Sequence, residues 1–284
     1  NINYGLVTTH FPSLRPKLVK KDELTEDDAK SYMLASASCF PAFKPTKIGK
    51  NFYIDGGYYD NMPINLAISM GADEVIAVDL KAVGMVREVK DKNVKITYIT
   101  PKNDLGSFLT FEKDYSRKAI SFGYNDTMKV YKMLDGNIYT FKKGSLDRNY
   151  KRMHDKFNYY MDLYLNKVAK LKFKKIILGD NTKYFNDVLE NTLKAFDIDE
   201  SKIYRASFVN LLIKKEFLKC EIKKFNTIKK AIKNNSLKKA FVSKELICYI
   251  HNGIEKENKR LINDLAIMFP NAFLCALYIK TIER

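Results

Sequence analysis

The sequence predicts an α/β fold followed by an α-helical extension. Three observations lead there. An apolar run of strand length ends at Asp55, and Gly56-Gly57, a helix start at Pro63 and a second apolar run from Glu74 to Leu80 follow in close order. After about residue 106 the apolar spacing turns helical. The charge is also uneven: of a net +17, residues 143–284 hold 30 Lys+Arg against 16 Asp+Glu, and residues 1–142 hold 20 against 17. With 284 residues and 46% hydrophobic content, the chain can bury one large core or two modest ones.

The elements read as follows. Tyr4 to Thr9 (YGLVTT) has the composition of a short strand. Leu24 to Ala35 reads as a helix, because Thr25 can cap it and Glu26-Asp27-Asp28 suit the positive end of its dipole. Pro41 and Pro45 predict an irregular segment. Phe52 to Ile54 is a strand that delivers Asp55 to its end. Pro63 suits a first helical turn, where its missing N–H costs nothing. Ile64, Ala67, Ile68 and Gly71 share one helical face, and Gly71 stops that helix. Glu74 to Leu80 (EVIAVDL) is expected to be a strand covered on both faces, and Val94 to Thr100 another strand. Strand, turn, helix and strand in about thirty residues predict a βαβ unit with a right-handed crossover. Functional groups in such sheets gather at the carboxyl ends of strands, where Asp55 stands.

Farther on, Phe111 to Lys132 reads as one helix with a weak point at Gly123, and Leu146 to Leu171 as a long, aromatic-rich one. Phe157, Tyr159, Tyr160 and Tyr164 are expected in a core rather than on a base-stacking surface. The run FKKIILGD to Asp180 fits a strand or a loop, and helices are expected near 183–196, 200–219, 224–234, 236–250 and 255–282, the last split at Pro270. A soft boundary near 172–182 separates residues 1–172 from a basic helical module, 173–284.

Several classes are disfavoured. Cys39, Cys220, Cys248 and Cys275 lie far apart without a C-x-x-C, so neither a zinc site nor a disulfide framework is expected, and a reduced cytoplasmic setting fits. Spanning a bilayer takes roughly 20 apolar residues. The nearest candidate, Leu265 to Ile279, is shorter and contains Pro270-Asn271. The chain opens at Asn1 inside what reads as a strand, and is expected to be part of a longer protein.

Around Asp55-Gly56-Gly57 the context is rich. Upstream stand Ala35-Ser36-Ala37-Ser38-Cys39-Phe40-Pro41-Ala42-Phe43-Lys44-Pro45 and Ile48-Gly49; downstream stand Asn61-x-Pro63, Gly71-Ala72-Asp73 and the strand ending Val78-Asp79-Leu80. This arrangement resembles the patatin-like phospholipases over about residues 4–132, including Phe122-Gly123-Tyr124. The resemblance implies a patatin-like three-layer α/β fold, here incomplete at its N-terminus, and a serine lipid acyl hydrolase built on a Ser–Asp dyad. Asp55 aligns with the dyad carboxylate, and Gly56, Gly57, Asn61 and Pro63 with the loop that positions it. The Asp accepts the serine proton, the serine attacks an ester carbonyl, and water releases the fatty acid. An ordinary carboxylate, with a pKa of about 4, is a poor base at neutral pH, so it must be partly desolvated and within hydrogen-bond reach of the hydroxyl.

The nucleophile that the resemblance implies, in a G-x-S-x-G elbow, is absent, as is a Gly-rich oxyanion loop. Gly106-Ser107 and Gly144-Ser145 lack the second glycine. Both missing features precede the Asp motif in the family, so this chain would supply the base without the serine and be inactive alone. Ser36 and Ser38 lack an elbow, and Cys39 has no histidine nearby in sequence. His10, His154 and His251 are isolated and read as packing or surface residues, and Asp60, Asn61 and Asp79 as turn and strand-end residues. No metal or organic cofactor is implied.

Residues 214–244 hold eleven Lys and two Glu, interleaved with Phe217, Leu218, Ile222, Phe225, Ile228, Ile232, Leu237 and Phe241. Such a stretch can lie on an anionic membrane or simply solvate a packed helix. The expected partners are therefore an acyl-ester lipid, an anionic membrane surface, and either the missing N-terminal portion or a second copy. Nucleic acid is the least favoured. The rival function is a patatin-like scaffold without chemistry that binds anions through its basic half.

Overall fold

The computed structural model describes residues 2–107, 112–173, 181–220 and 242–283. They form two compact units, Asn1–Pro101 and Lys102–Arg284. The compact division thus falls well before the boundary that the sequence suggests near 172–182, because one hydrophobic core runs from Tyr139 to Ile282.

The first unit is built on a four-stranded antiparallel sheet. Its strands are β1 (Gly5–Phe11), β2 (Pro16–Lys20), β3 (Thr46–Ile48) and β4 (Asn51–Asp55), in the order β2-β1-β4-β3. β1 pairs on one side with β2 (Val7↔Leu18) and on the other with β4 (Thr8↔Asp55). Helix α1 (Glu26–Ser36) packs on β1, β3 and β4. Its N-cap is Thr25, whose side chain accepts from the Asp28 N–H at 3.2 Å, as its sequence predicts. Val7, Val19, Ala35 and Ile54 are buried in this unit.

Pro63 caps α2 (Ile64–Ser69), and Gly71, at φ 94°, follows it in the left-handed region that favours glycine. Next come β5 (Glu74–Val78) and β6 (Lys95–Ile99), paired parallel in a sheet of their own. This corrects the expected βαβ unit. Both edges of β4 are taken, by β1 and β3, so β5 has no edge of β4 to join. β5 is also not covered on both faces: Ala77 is buried, but Ile76 and Val78 are each 56% exposed. An apolar run fixes neither the partner of a strand nor what covers it.

The second unit is mostly helical. α3 (Lys113–Val130) runs unbroken through Gly123. A three-stranded sheet combines β7 (Leu134–Asp135), β8 (Thr140–Lys142) and β9 (Ile203–Tyr204). The remaining helices are α4 (Ser145–Tyr164), α5 (Lys167–Lys172), α6 (Asn181–Ala195), α7 (Ala206–Phe217), α8 (Lys244–Glu255), α9 (Lys259–Met268) and α10 (Pro270–Ile282). The expected long helix over 146–171 is broken after Tyr164. Asn166 caps α5 there, and Asn263 accepts from the Asn166 N–H at 2.8 Å while donating to the Tyr164 carbonyl at 3.0 Å.

α10 is the central helix. Residues 272–279 are all buried, which an all-round apolar helix requires. It packs against α4, α6, α7, α8 and α9. The split at Pro270 is as expected, and no helix among the described residues is long and apolar enough to cross a membrane. Phe157 and Tyr164 lie in the core, whereas Tyr159 is largely exposed. Cys220 and Cys248 form a disulfide, which corrects the expectation of unpaired cysteines. The end of α7 and the middle of α8 are neighbours in space though 28 residues apart in sequence. Most of the basic stretch 214–244, and the FKKIILGD run after Phe173, lie outside the described residues.

Candidate active site

Asp55 is the last residue of β4 and caps a single 3₁₀ turn, Gly56–Tyr58. Its Oδ1 accepts from the Gly57 N–H at 2.7 Å, which fixes the carboxylate to the turn. Its own N–H donates to the Ser38 carbonyl at 3.0 Å. The residue is partly buried, and among the described residues no cation pairs with it. A Cβ on Gly56 would stand 2.3 Å from the Val7 carbonyl oxygen, so only glycine lets the turn lie this close to β1. That carbonyl also accepts from the Ser36 Oγ at 2.8 Å. Ser38 is used structurally too, with its Oγ 2.8 Å from both the Leu34 carbonyl and Thr46 Oγ1. Both serines of the Ala-Ser-Ala-Ser segment are thus tied into the scaffold behind the Asp55 turn, and neither is free as a nucleophile.

The downstream motif closes the other side. The Asn61 N–H donates to the Met85 carbonyl at 2.6 Å, and its Nδ2 to the Ala82 carbonyl at 3.3 Å. The Met85 N–H returns to the Gly57 carbonyl at 2.9 Å. Residues 82–87 therefore strap the Asp-Gly-Gly turn, a role that sequence reading misses. Gly84 touches Asn61: a Cβ there would lie 2.9 Å from the Asn61 Cβ. Asp60 is buried and accepts from the N–H groups of Met62 and Arg87, while Arg87 stacks its guanidinium over Tyr59. Asp79 accepts from the Lys81 N–H at 2.8 Å. Both acids thus serve turns, as expected. Tyr58 donates its hydroxyl to the Phe40 carbonyl, joining the turn to the proline-rich segment.

The structure brings together Asp55, Gly56, Gly57 and Asn61, with Pro63 starting the helix behind them. Residues 4–68 match the family model of the patatin-like phospholipases. That segment spans β1 through most of α2, and so contains all five residues. Patatin-like phospholipases are lipid acyl hydrolases, and the patatin-like segment here holds the Asp-Gly-Gly turn on its own strand end. No curated protein matches the chain. A cavity of about 920 Å³ in the same unit is lined by Tyr59, Asp60, Asn65, Arg87 and the 88–92 segment, but not by Asp55.

Of the three histidines, His10 stands on β1 opposite Tyr53 of β4, and His154 and His251 belong to the second unit. His10 bonds Ser13, and His154 lies beside Asp155 and Asn158. His251 is buried, which fits a packing residue, but it is not isolated: its Nε2 lies 2.9 Å from Glu283 and 3.9 Å from Glu255. These three are the one group among the described residues with metal-ligand spacing, but Lys280 already sits on Glu255 and neutralises it. Burial drives the His251 pKa down to about 4, with Glu255 opposing and Lys280 reinforcing the shift. The folded value lies below the unfolded one, so the unfolded chain takes up its proton first as pH falls. Stability is therefore expected to be fully present above about pH 6.5 and to be lost progressively down to about pH 4. A fall from 6.5 to about 4 makes the loss about 3 kcal/mol at most. Urea unfolding across that range should show the slope, and His251→Gln should flatten it.

Proposed function

We propose that this chain carries the general base of a serine lipid acyl hydrolase acting on phospholipid acyl esters, with Asp55 as the carboxylate of a Ser–Asp dyad. The observation that carries this reading is the Asp55 turn inside the patatin-like segment. One carboxylate oxygen is held by the Gly57 N–H, and Oδ2 has no hydrogen-bond partner among the described residues. Asp55 takes the proton of the serine hydroxyl as its oxygen attacks the ester carbonyl, then returns it to the departing alcohol. Water hydrolyses the acyl-enzyme and frees the fatty acid. Gly56, Gly57, Asn61 and Pro63 position the base, and no cofactor takes part in these steps.

The serine comes from residues outside this chain, supplied by an N-terminal portion or a partner. The half-exposed apolar side chains of β5 and β6, Ile76, Val78 and Tyr98, support a covering segment or a second copy on that sheet. The test compares the protein extended upstream of Asn1 with this chain alone on phosphatidylcholine vesicles. Fatty-acid release is expected from the first and not from the second. Release from neither overturns the reading, and release from this chain alone overturns the division of the dyad.

A further inference from the structure

The second unit contains a basic cavity that lipid hydrolysis does not use. It has a volume of about 550 Å³ and is lined by Lys142, Lys143, Ser145, Arg148, Asn149, Arg152, Arg205 and Ser207. Five of these eight side chains are cationic. Lys143 pairs with Asp135 at 2.9 Å. Lys142, Arg148, Arg152 and Arg205 have no carboxylate partner among the described residues.

The backbone adds to the positive field. α4 begins at Ser145 and α7 at Ala206, and both helix starts border the cavity. Ser145 Oγ accepts from the Ala206 N–H at 2.7 Å and fastens one start to the other. A helix start disfavours cations, yet Arg148 lies in the first turns of α4 and Arg205 is the N-cap of α7. In α4 the acid Asp147 shares the first turn with Arg148, whereas the first turn of α7 has no acid to answer Arg205, and a bound anion would resolve that conflict. The floor is rigid. Asn149 donates to the Tyr278 hydroxyl (2.9 Å), which donates to Asn210 Oδ1 (2.7 Å), and Asn210 Nδ2 donates back to Asn149 Oδ1 (2.8 Å). This closed ring is buried and holds the wall that carries Arg148 and Arg152.

We propose that this cavity binds a ligand bearing a phosphate monoester or diphosphate, gripped by Arg148, Arg152 and Arg205. Three guanidinium groups match the several terminal oxygens of such a group better than the two of a single carboxylate, and each can bond in bidentate fashion. The phosphate can belong to a soluble phosphate ester or to a lipid headgroup.

Calorimetric titration of the full chain with inorganic pyrophosphate, and co-sedimentation with phosphatidylcholine vesicles with and without phosphatidic acid, test this. Saturable, salt-sensitive binding of pyrophosphate or selective retention on phosphatidic acid vesicles is expected. Arg148→Gln and Arg205→Gln should each weaken it about tenfold or more. Lys151→Gln, which removes the same charge outside the cavity, should leave it unchanged. Both arginines are exposed, so melting temperatures should hold, and each variant is read independently. Pyrophosphate binding alone assigns a soluble ligand, and vesicle retention alone a headgroup. Binding of neither probe overturns the proposal, as does binding that the arginine variants leave intact or that Lys151→Gln weakens equally.

Discussion

Replacing Asp55 with Asn in the N-terminally extended protein is expected to reduce fatty-acid release by about 10²- to 10⁴-fold, the usual share of a positioned general base. Asn is nearly the same size. Its side-chain oxygen can keep the 2.7 Å bond from the Gly57 N–H, so the 3₁₀ turn has no reason to move. What Asn cannot do is take a proton from a hydroxyl at neutral pH. The melting temperature should therefore stay close to that of the parent, since the substitution creates no cavity and strands no cation. Activity should fall in kcat more than in KM, because the lost interaction forms as the proton moves. Retained turnover with an unchanged melting temperature would remove Asp55 from the mechanism and leave it as a capping residue.

This pairing of outcomes matters because a capping role alone already explains part of the geometry. Asp55 accepts a backbone N–H two residues on, as many aspartates in turns do. The catalytic reading needs Oδ2, which the turn leaves without a partner among the described residues. Asp60 is the useful contrast. Its Oδ1 accepts from two backbone N–H groups and its side chain is buried, so Asp60→Ala, which leaves both N–H groups without that acceptor, should cost stability rather than chemistry.

How much could be read from residues alone varies with distance along the chain. Local signals held. Thr25 caps α1, the run to Ile54 delivers Asp55 to a strand end, Pro63 starts α2 and Pro270 splits the last helical stretch. Each depends on neighbours within a turn or two. Pairing was not legible. β4 and β5 have strand composition, but nothing in the sequence of either says that β4 spends both edges on β1 and β3. β2 was hidden because Pro16 heads it, and a proline at a strand start reads as a turn. His251 reads as isolated because Glu283 lies 32 residues away in sequence and meets it only when α8 packs on α10. The basic cavity is the extreme case. Its arginines come from 148–152 and from 205, and only the side-by-side starts of α4 and α7 make them one feature. At the Asp55 turn the motif was visible as a string, yet the strap from 82–87 was not, since it reaches Gly57 and Asn61 through its own backbone groups at Ala82 and Met85, which any sequence carries.

Gly56→Ala is expected to be the most damaging single-atom addition in the first unit. The new Cβ would stand 2.3 Å from the Val7 carbonyl oxygen, 2.8 Å from its carbon and 2.9 Å from the Val7 Cβ. Nothing on the Val7 side can yield cheaply. β1 is held on both sides, through Val7↔Leu18 with β2 and Thr8↔Asp55 with β4, and Ser36 Oγ holds the same carbonyl at 2.8 Å. Either β1 leaves its register or the turn swings away, and the turn carries Asp55. Overpacking costs typically 1–3 kcal/mol, and a backbone clash in a pinned strand belongs at about 3 kcal/mol or beyond. Gly57→Ala sets the scale. Its Cβ would meet side-chain oxygens, Asn61 Oδ1 at 3.0 Å and Asp55 Oδ1 at 3.2 Å, which can shift by a few tenths of an ångström, so about 1 kcal/mol or less is expected. Urea unfolding should rank the two variants in that order, and amide exchange in β1 and β4 should rise only for Gly56→Ala. The same variant should lose hydrolysis even under conditions where it remains folded, because the displaced turn takes the Asp55 carboxylate with it. Equal stability of Gly56→Ala and the parent would mean that β1 and the turn do not lie this close, and the reason for a glycine after Asp55 would then be backbone entropy rather than contact.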